Sequence, residues 1–535
     1  MGVGSREAAA RIVPFLTALS ADPAQSGAWN DIGLRFFEQG RLQEAVGALR
    51  RSLRLQPDNP GTWSNLGSAH QYRGEPGAAV EAFHQALSRA PQLAAIHVNL
   101  GNALLEQGSA EDAAAAYRTA LALEPGLARA EMNLAGASLY RPGARLDHIL
   151  THAQRWSRAI AIPANPPPRP EKLRIGLISA DFRQHAVGHL TIAAIEGLAR
   201  LGHHLTVYSN SLREDGLTAR FKACAAQWRT VAGLDDARLD AQIRADQIGI
   251  LIDLSGFSAG NRLTALARKP APVQIASWVG YPSTTGSPAM DYILADRHQV
   301  PEGAERFYSE QVIRLPDSYV SFEPPPDAPE IGEPPCLRQG YVTFGSFNVL
   351  KKINARVIAA WGRLMREVPD SRLVMKALGL DCAVTRQRFL DAFAAEGIGA
   401  DRITLAGNSP IAEHLSWMLR ADLALDPFPY SGGRTTLEAL WMGLPVVTLP
   451  SDSFASRHSF GYLSTLGLTA WVARDEDHYV ELNTALARDP AGLASWRRSL
   501  RERMLESPLA DRDRFARDLD RALTEIWSSR RGPGS

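Results

Sequence analysis

The chain has 535 residues, 45% of them hydrophobic and 21% charged, with a formal net charge of +1. That length leaves room for about three or four domains, and the composition is that of a soluble globular protein. A charge this near zero makes no global electrostatic case for nucleic acid or an anionic membrane as partner. No apolar run approaches the roughly 20 residues of a membrane span. The opening text, MGVGSREAAARIVPFL, lacks a charged segment followed by a long apolar core, so no signal peptide is expected. Cys224, Cys336 and Cys382 lie far apart and form no CxxC motif. A reduced, cytoplasmic chain without a zinc cluster is the expectation.

Residues 28 to about 140 repeat with a period of 34. Trp29 recurs as Trp63, and Gly33 as Gly67 and Gly101. Ala45 recurs as Ala79 and Ala113, and Leu49, Phe83 and Tyr117 share one position. Pro57, Pro91 and Pro125 close the units. This is the tetratricopeptide pattern of paired helices. Ser5 to Pro23 fits the second helix of a preceding unit. Residues 131–140 start a fourth unit, and Leu146 to Ala159 finish it irregularly. The expectation is a helical solenoid over residues 1–160 with a concave groove. Asn65, Asn99 and Asn133 share one position on the first helix of each unit. Two readings stand: the ladder hydrogen-bonds the backbone of an extended peptide, or it satisfies neighbouring turns.

The run AIPANPPPRPEK, 161–172, reads as a linker, because its five prolines exclude helix and sheet interior alike. From Leu173 the text changes to short apolar strands alternating with helical segments. LRIGLIS, HLTVYS, GILIDLSG, VQIASWVG and MDYILADR read as strands, and Leu190 to Leu201 as a helix. That alternation predicts a parallel sheet with helices on both faces, over residues 173–325. The loop after the first strand carries Asp181, His185 and His189. Open α/β sheets bind ligands beyond the carboxyl ends of their strands, which places His185 where a catalytic group sits. WVGYP sets Gly280, Tyr281 and Pro282 after another strand, with glycine allowing close approach to the backbone.

The stretch FEPPPDAPEIGEPPC, 322–336, is a second Pro-rich connection, so an interlobe linker is expected over residues 326–340 and a second lobe over residues 341–535. YVTFGSFNVLKKIN, 341–354, takes a strand to Phe347. Asn348 and Lys352 then enter a loop and helix start, where a lysine can meet a diphosphate directly. Lys351 reads instead as a solvated surface charge. RLVMKA and RITLAG are further strands, and SPIAEHLSWMLRADLALD follows them.

The richest stretch is DPFPYSGGRTTLEALWMGLPVVTLP, 426–450, a loop, a helix and a short apolar strand. Gly432 and Gly433 let backbone approach a ligand. The helix start offers free N–H groups and the positive end of the dipole, a ready anion site. Arg434, Thr435 and Thr436 add donors suited to phosphate oxygens. Glu438 follows one turn in, where a carboxylate could accept from ribose hydroxyls. From Asp475 onward the text is helical and charged, with amphipathic spacing over Trp496 to Met504 and Phe515 to Trp527. Asp475-Glu-Asp477 and Asp511-Arg-Asp513 mimic a DxD metal motif but read as solvated helix faces, so no metal ion is expected.

The 426–450 run resembles the donor-site motif of the O-linked N-acetylglucosamine transferase family. There, a short polar residue, one or two glycines and a Thr-Thr pair precede a helix ending in LWxGxPVVT. The resemblance spans roughly residues 28 to 527 and is strongest in the repeat and in this run. It implies a tetratricopeptide solenoid followed by an α/β GT-B fold of two Rossmann-like lobes, a terminal helix packing back on the first lobe, and an interior Asn ladder. It implies UDP-N-acetylglucosamine as donor and protein Ser or Thr hydroxyls as acceptors. DFxxHxxxH matches the family loop in which the first histidine, here His185, lies over the sugar. FNxxxK carries the family's essential lysine, here Lys352. His414 matches a histidine that stacks on uracil, and Ser409 would present backbone to the base. The sequence departs from the family pattern in places. Phe257 stands where many relatives have His, and Val349 replaces a Gln of animal enzymes. Ile411 and Trp417 stand where those enzymes have Lys and Arg, and Gly433 and Arg434 where they have His and Thr. Arg434 would then hold the diphosphate.

The expected reaction is an inverting sugar transfer without cofactor or metal, with His185 as base or positioner and Lys352, Arg434 and the Thr pair facing the diphosphate. Two alternatives stand beside it: a transferase using another sugar or another acceptor (Asn, lipid or glycan), and a repeat scaffold with a weak transferase. The oligomeric state has no signature in the sequence.

Overall fold

The computed structural model describes residues 24–162 and 165–529. The helix expected over Ser5 to Pro23 lies outside the described residues. Four helix pairs form the solenoid: α1 (Ser26–Glu38), α2 (Leu42–Leu55), α3 (Pro60–Tyr72), α4 (Pro76–Arg89), α5 (Ala94–Glu106), α6 (Ala110–Leu123), α7 (Ala128–Ser138) and α8 (Leu146–Ala159). The 34-residue signature is a packing rule. Ala45, Ala79 and Ala113 are fully buried, as are Leu49, Phe83 and Tyr117. The repeat glycine makes room for that large partner. A Cβ at Gly33, Gly67 or Gly101 would come within 2.5–2.7 Å of Leu49, Phe83 or Tyr117.

Two parallel sheets follow. The first has the order β3-β2-β1-β4-β5-β6-β7 and the second β10-β9-β8-β11-β12. In the first, β1 is Arg174–Ser179, β2 His204–Ser209, β3 Gln227–Thr230, β4 Ile250–Asp253, β5 Val273–Ala276, β6 Tyr292–Asp296 and β7 Gln311–Leu315. In the second, β8 is Thr343–Ser346, β9 Arg372–Lys376, β10 Ile403–Ala406, β11 Leu423–Leu425 and β12 Val446–Val447. Each is a doubly wound, Rossmann-like sheet, so the solenoid-plus-two-lobes architecture is the one expected. The strand order reverses at β1/β4 in one lobe and at β8/β11 in the other, which is where such sheets bind ligands. Three further helices matter to the site: α9 (Ala186–Arg200), α10 (Arg434–Trp441) and the terminal α11 (Arg512–Ser529). Helix α11 returns to the first lobe. Ala516 packs on Gly197 and the Trp527 ring on Gly249. Arg200 pairs with Asp513 and His203 with Asp520.

The Pro-rich run after the solenoid is a boundary in sequence but not in packing. Trp156 on α8 is buried in one apolar cluster with Ile178, Leu251 and Ala276 of the first sheet. The α8 backbone at Ala153 and Gln154 lies against Gly286. The solenoid turns also rest on the second lobe: Gly74 lies against Leu378, Gly77 against Val384, and Gly108 against the carbonyls of Leu350 and Ile353. The three cysteines are unpaired. Among the described residues no helix is long and apolar enough to cross a membrane.

Candidate active site

The loops after β1, β4, β8 and β11 bring most of the singled-out residues to one cleft. The organiser in the second lobe is a residue that sequence reasoning passed over, Asp426, which ends β11. Its carboxylate is buried and accepts from the Gly432 N–H at 2.6 Å and from the Thr448 hydroxyl at 2.6 Å. Those bonds hold the loop so that α10 begins at the cleft. Burial pushes the Asp426 carboxyl up, and its hydrogen bonds and the nearby Lys352 charge oppose that shift.

The two glycines of this loop do different jobs. A Cβ on Gly432 would overlap Thr436 Oγ1 and reach 3.0 Å from Asp426 Oδ1. Gly432 is therefore required by packing, which corrects the expectation that both glycines serve ligand approach. Gly433 is the N-cap of α10 and has nothing within 4 Å of a Cβ position, so it is the open one. Thr435 donates to Asn348 Oδ1 at 3.0 Å, tying the helix start to the loop after β8. Thr436 is buried and shares a 2.8 Å hydrogen bond with Ser459. Of the two threonines, only Thr435 lies at the half-buried helix start.

Arg434 and Glu438 pair with each other. Arg434 Nε lies 2.7 Å from Glu438 Oε1, an i,i+4 ion pair on α10 whose carboxylate is buried. Glu438 thus forms an ion pair with Arg434 through Oε1, while its Oε2 faces His414 at 3.8 Å. The Arg434 charge still reaches across the cleft, as His185 and His189 both register it.

Lys352 is on a short 3-10 turn, Leu350–Lys352. Its ammonium donates to the Ser431 carbonyl at 2.7 Å, lies 3.5 Å from Asn348 Oδ1, and sits 4.3 Å from the centre of the Tyr430 ring. Burial pulls its pKa down to about 7; Asp426 opposes the shift and Lys351 adds to it. Lys351 is no solvated surface charge, contrary to expectation. It pairs with Glu106 of the solenoid at 3.1 Å, lies 5.5 Å from the Tyr140 ring, and has its pKa raised, chiefly by Glu106.

His414 lies inside the helix Ile411–Met418 and meets Phe347 edge to face at 6.1 Å. Its Nε2 is 3.8 Å from Glu438 Oε2. Burial, then the charges of Lys376 and Arg434, lower its pKa to about 4, so at neutral pH it is an uncharged ring suited to stacking. Ser409 makes a long hydrogen bond to the Pro410 carbonyl at 3.4 Å.

On the first lobe His185 is the N-cap of α9. Its Nδ1 accepts from the Val187 N–H at 3.3 Å and lies 3.5 Å from Asp181 Oδ2. Its side chain is 43% exposed. Burial lowers its pKa; Asp181 opposes that, while Arg183, Arg434 and Lys351 add to it. Two of those charges, Arg434 and Lys351, belong to the second lobe. His189 shares a 2.6 Å hydrogen bond with Gln184 of the same loop, and burial lowers its pKa to about 3. Gly280 is half-exposed and tightly packed on one side. A Cβ on Gly280 would overlap the Leu254 carbonyl, so that glycine packs against the loop after β4. Pro282 is buried. Phe257, on that loop, lies between Trp156 (ring centres 4.9 Å apart) and Tyr281 (4.8 Å).

In the solenoid, Asn65 donates to Asn30 at 3.0 Å, and Asn133 donates to Asn102 at 2.7 Å beside a 2.7 Å bond from Tyr117. Both amides tie neighbouring helices together, whereas Asn99 is half-buried on α5. Asp475 and Asp511 cap helices, Asp477 pairs with Arg363 and Asp513 with Arg200. A cavity of about 560 Å³ opens between Phe428–Pro429, the α7–α8 turn and Arg474–Glu476. Of the site candidates, neither His185, Lys352, His414 nor a residue of Gly432–Thr436 lines it.

Three comparisons bear on the site. A family profile described as glycosyl transferase family 41 matches residues 152–322 and 336–519, and tetratricopeptide profiles match residues 33–74 and 64–128. A probable UDP-N-acetylglucosamine–peptide N-acetylglucosaminyltransferase SPINDLY from Petunia hybrida is 37% identical over 367 residues, covering 67% of this chain and 39% of that protein. The corresponding SEC protein of Arabidopsis thaliana is 28% identical over 370 residues, covering 67% and 37%. The chain thus spans about two-fifths of the length of these curated relatives. Among solved structures, a lysine-to-methionine mutant of Thermobaculum terrenum O-GlcNAc transferase superposes with a TM-score of 0.88 at 34% identity, over 95% of this chain and 98% of that one.

Proposed function

The chain belongs to glycosyltransferase family 41, and from that premise we propose that it moves N-acetylglucosamine from UDP-N-acetylglucosamine to Ser or Thr hydroxyls of proteins, with inversion and without a metal ion. One observation supports the reading: His185 caps α9 after β1 of the first sheet's switch point, and Lys352 and the α10 N-terminus follow β8 and β11 of the second sheet's. The relatives named above for peptide N-acetylglucosaminyl transfer support the choice of donor and acceptor.

In this mechanism the acceptor hydroxyl oxygen attacks the anomeric carbon, its proton passes to His185 or to a phosphate oxygen of UDP, the bond to UDP breaks, and the diphosphate takes up the negative charge. Lys352, the N–H groups at Gly433–Thr435 and the field of Arg434 stabilise that charge. Uracil would lie on the uncharged His414 ring. His185 Nδ1 lies 3.3 Å from the Val187 nitrogen and 3.5 Å from Asp181 Oδ2. From the N-cap of α9 the ring would act on the acceptor hydroxyl as base or positioner. The solenoid groove, with Asn65, Asn99 and Asn133, would choose the protein acceptor.

The test is intact-mass analysis of candidate protein acceptors incubated with a panel of sugar nucleotides. Addition of N-acetylhexosamine from the UDP donor alone is expected. Preferential transfer of another sugar, or modification confined to lipid or glycan acceptors, would overturn the reading.

A further inference from the structure

One aromatic pair joins the solenoid to the donor loop. Tyr140 follows α7, and Tyr430 is in the loop after β11; their rings stack with centres 4.7 Å apart and planes 24° apart. Each ring has a lysine ammonium against it: Lys352 is 4.3 Å from the Tyr430 centre, and Lys351 is 5.5 Å from that of Tyr140. The two lysines are consecutive and share one short turn. The solenoid grips that turn in two further places. Glu106, on the last turn of α5, pairs with Lys351 at 3.1 Å. Gly108 has φ +90°, and a Cβ there would come within 2.7 and 2.9 Å of the Leu350 and Ile353 carbonyl oxygens. The Lys352 turn is therefore held between solenoid backbone on one side and the Tyr430 ring and Ser431 carbonyl on the other.

We propose that Tyr140 is a positioning residue for Lys352: its stacking on Tyr430 fixes the ring against which the ammonium is held, so the seating of the solenoid on the second lobe sets the geometry of the leaving-group lysine. The proposal rests on the reading of Lys352 as the diphosphate's partner. Its physical basis is rotamer restriction. A stacked tyrosine pair is worth more than its buried area, and a cation held on a ring follows that ring. Tyr140 touches neither donor nor acceptor in this scheme and acts only through Tyr430. The arrangement gives the solenoid a second role beside acceptor choice, because a protein acceptor that shifts the last helix pair also shifts the contact that orients Lys352.

The experiment is a double-mutant cycle on the full chain, reading hydrolysis of UDP-N-acetylglucosamine by water, with folding checked by circular dichroism. Tyr140→Leu should lower turnover about tenfold, the scale of losing one partly desolvated cation–π contact. Tyr140→Phe keeps the ring and should restore turnover. In a Lys352→Ala background Tyr140→Leu should cost nothing more, because its route is gone. Tyr430→Leu removes the other ring of the pair and serves as the second variant; its loss should not add to that of Tyr140→Leu. Full turnover in folded Tyr140→Leu, or losses that add in the Lys352→Ala background, would overturn the proposal while leaving the Lys352 reading intact. A nearly active Lys352→Ala would overturn that reading itself, and the proposal with it.

Discussion

UDP binding should take up a proton near neutral pH, and Lys352 should be the group that takes it. The pKa of this lysine lies near 7 because its surroundings desolvate the ammonium. At pH 7.5, half a unit above that value, about a quarter of the free protein would carry the charge. A diphosphate beside the ammonium favours the charged form and raises the pKa. Binding at pH 7.5 then draws in about three-quarters of a proton on Lys352. The direction follows from linkage. Affinity is greatest below the pKa of the free protein, falls as pH rises through 7, and levels off above the raised pKa of the complex. Within that window the slope approaches tenfold per pH unit, about 1.4 kcal/mol.

The assay is titration calorimetry with UDP in two buffers of different ionisation enthalpy, repeated from pH 6.5 to pH 9. The difference in heat gives the number of protons exchanged. UDP itself loses part of a proton on binding below about pH 7, since its terminal phosphate has a second pKa near 6. Lys352→Ala isolates that contribution, because only the lysine term disappears. Lys352→Arg should bind without uptake, since a guanidinium is charged throughout. Equal proton uptake in Lys352→Ala and in the native protein would refute the reasoning, as would affinity that rises with pH from 7 to 9.

Lys352→Ala should also lose about 10²–10³ in turnover with the fold intact, the scale of one preorganised donor; steady-state kinetics on a variant with native circular dichroism decides this. Gly432→Ala should destabilise the donor loop by about 1–3 kcal/mol and abolish UDP binding, whereas Gly433→Ala should bind UDP within a few-fold of native; melting curves and calorimetry on the pair separate a packing glycine from an open one. UDP affinity should be unchanged by EDTA and by added Mg²⁺ or Mn²⁺, because the site supplies its own positive charge, and a requirement for metal in calorimetry would end the metal-free proposal. Replacing Asn65, Asn99 and Asn133 together by Ala should weaken transfer to a protein acceptor and leave UDP affinity alone. It should also cost about 0.5–1.5 kcal/mol of stability for each inter-helix hydrogen bond lost at Asn65 and Asn133. An earlier melt with an unchanged acceptor Michaelis constant would mean that the asparagines only brace the repeats.

What the sequence disclosed was what local spacing encodes. The 34-residue period survives because each repeat glycine must clear one large neighbour, a contact within a single helix pair. The strands β1, β2, β4, β5 and β6 are buried on both faces and read as mostly apolar runs, with Thr206 in β2 and Gln274 in β5 as polar interruptions. The edge strands β3, QWRT, and β7, QVIRL, carry polar residues and are half-exposed, so they have no such signature. The three-residue β11 was passed over within a longer apolar run, although it ends at Asp426. The catalytic candidates His185 and Lys352 were legible through motif and loop position. Asp426 was not, because its work is to bind an amide 6 residues away and a hydroxyl 22 residues away.

Arg434 and Glu438 show a different failure. The information was local, an i,i+4 spacing on a helix face, which is itself a pairing signal. Each was instead read separately against a ligand, guanidinium to phosphate and carboxylate to ribose. The ion pair, 2.7 Å from Arg434 Nε to Glu438 Oε1 with the carboxylate buried, holds the guanidinium in place and leaves its two NH2 groups and Glu438 Oε2 outside that contact. The cleft therefore holds the Arg434 charge at a fixed place on α10, where His185, His189 and His414 all register it. That charge adds to burial in lowering the pKa of all three histidines, which keeps the His414 ring uncharged for stacking.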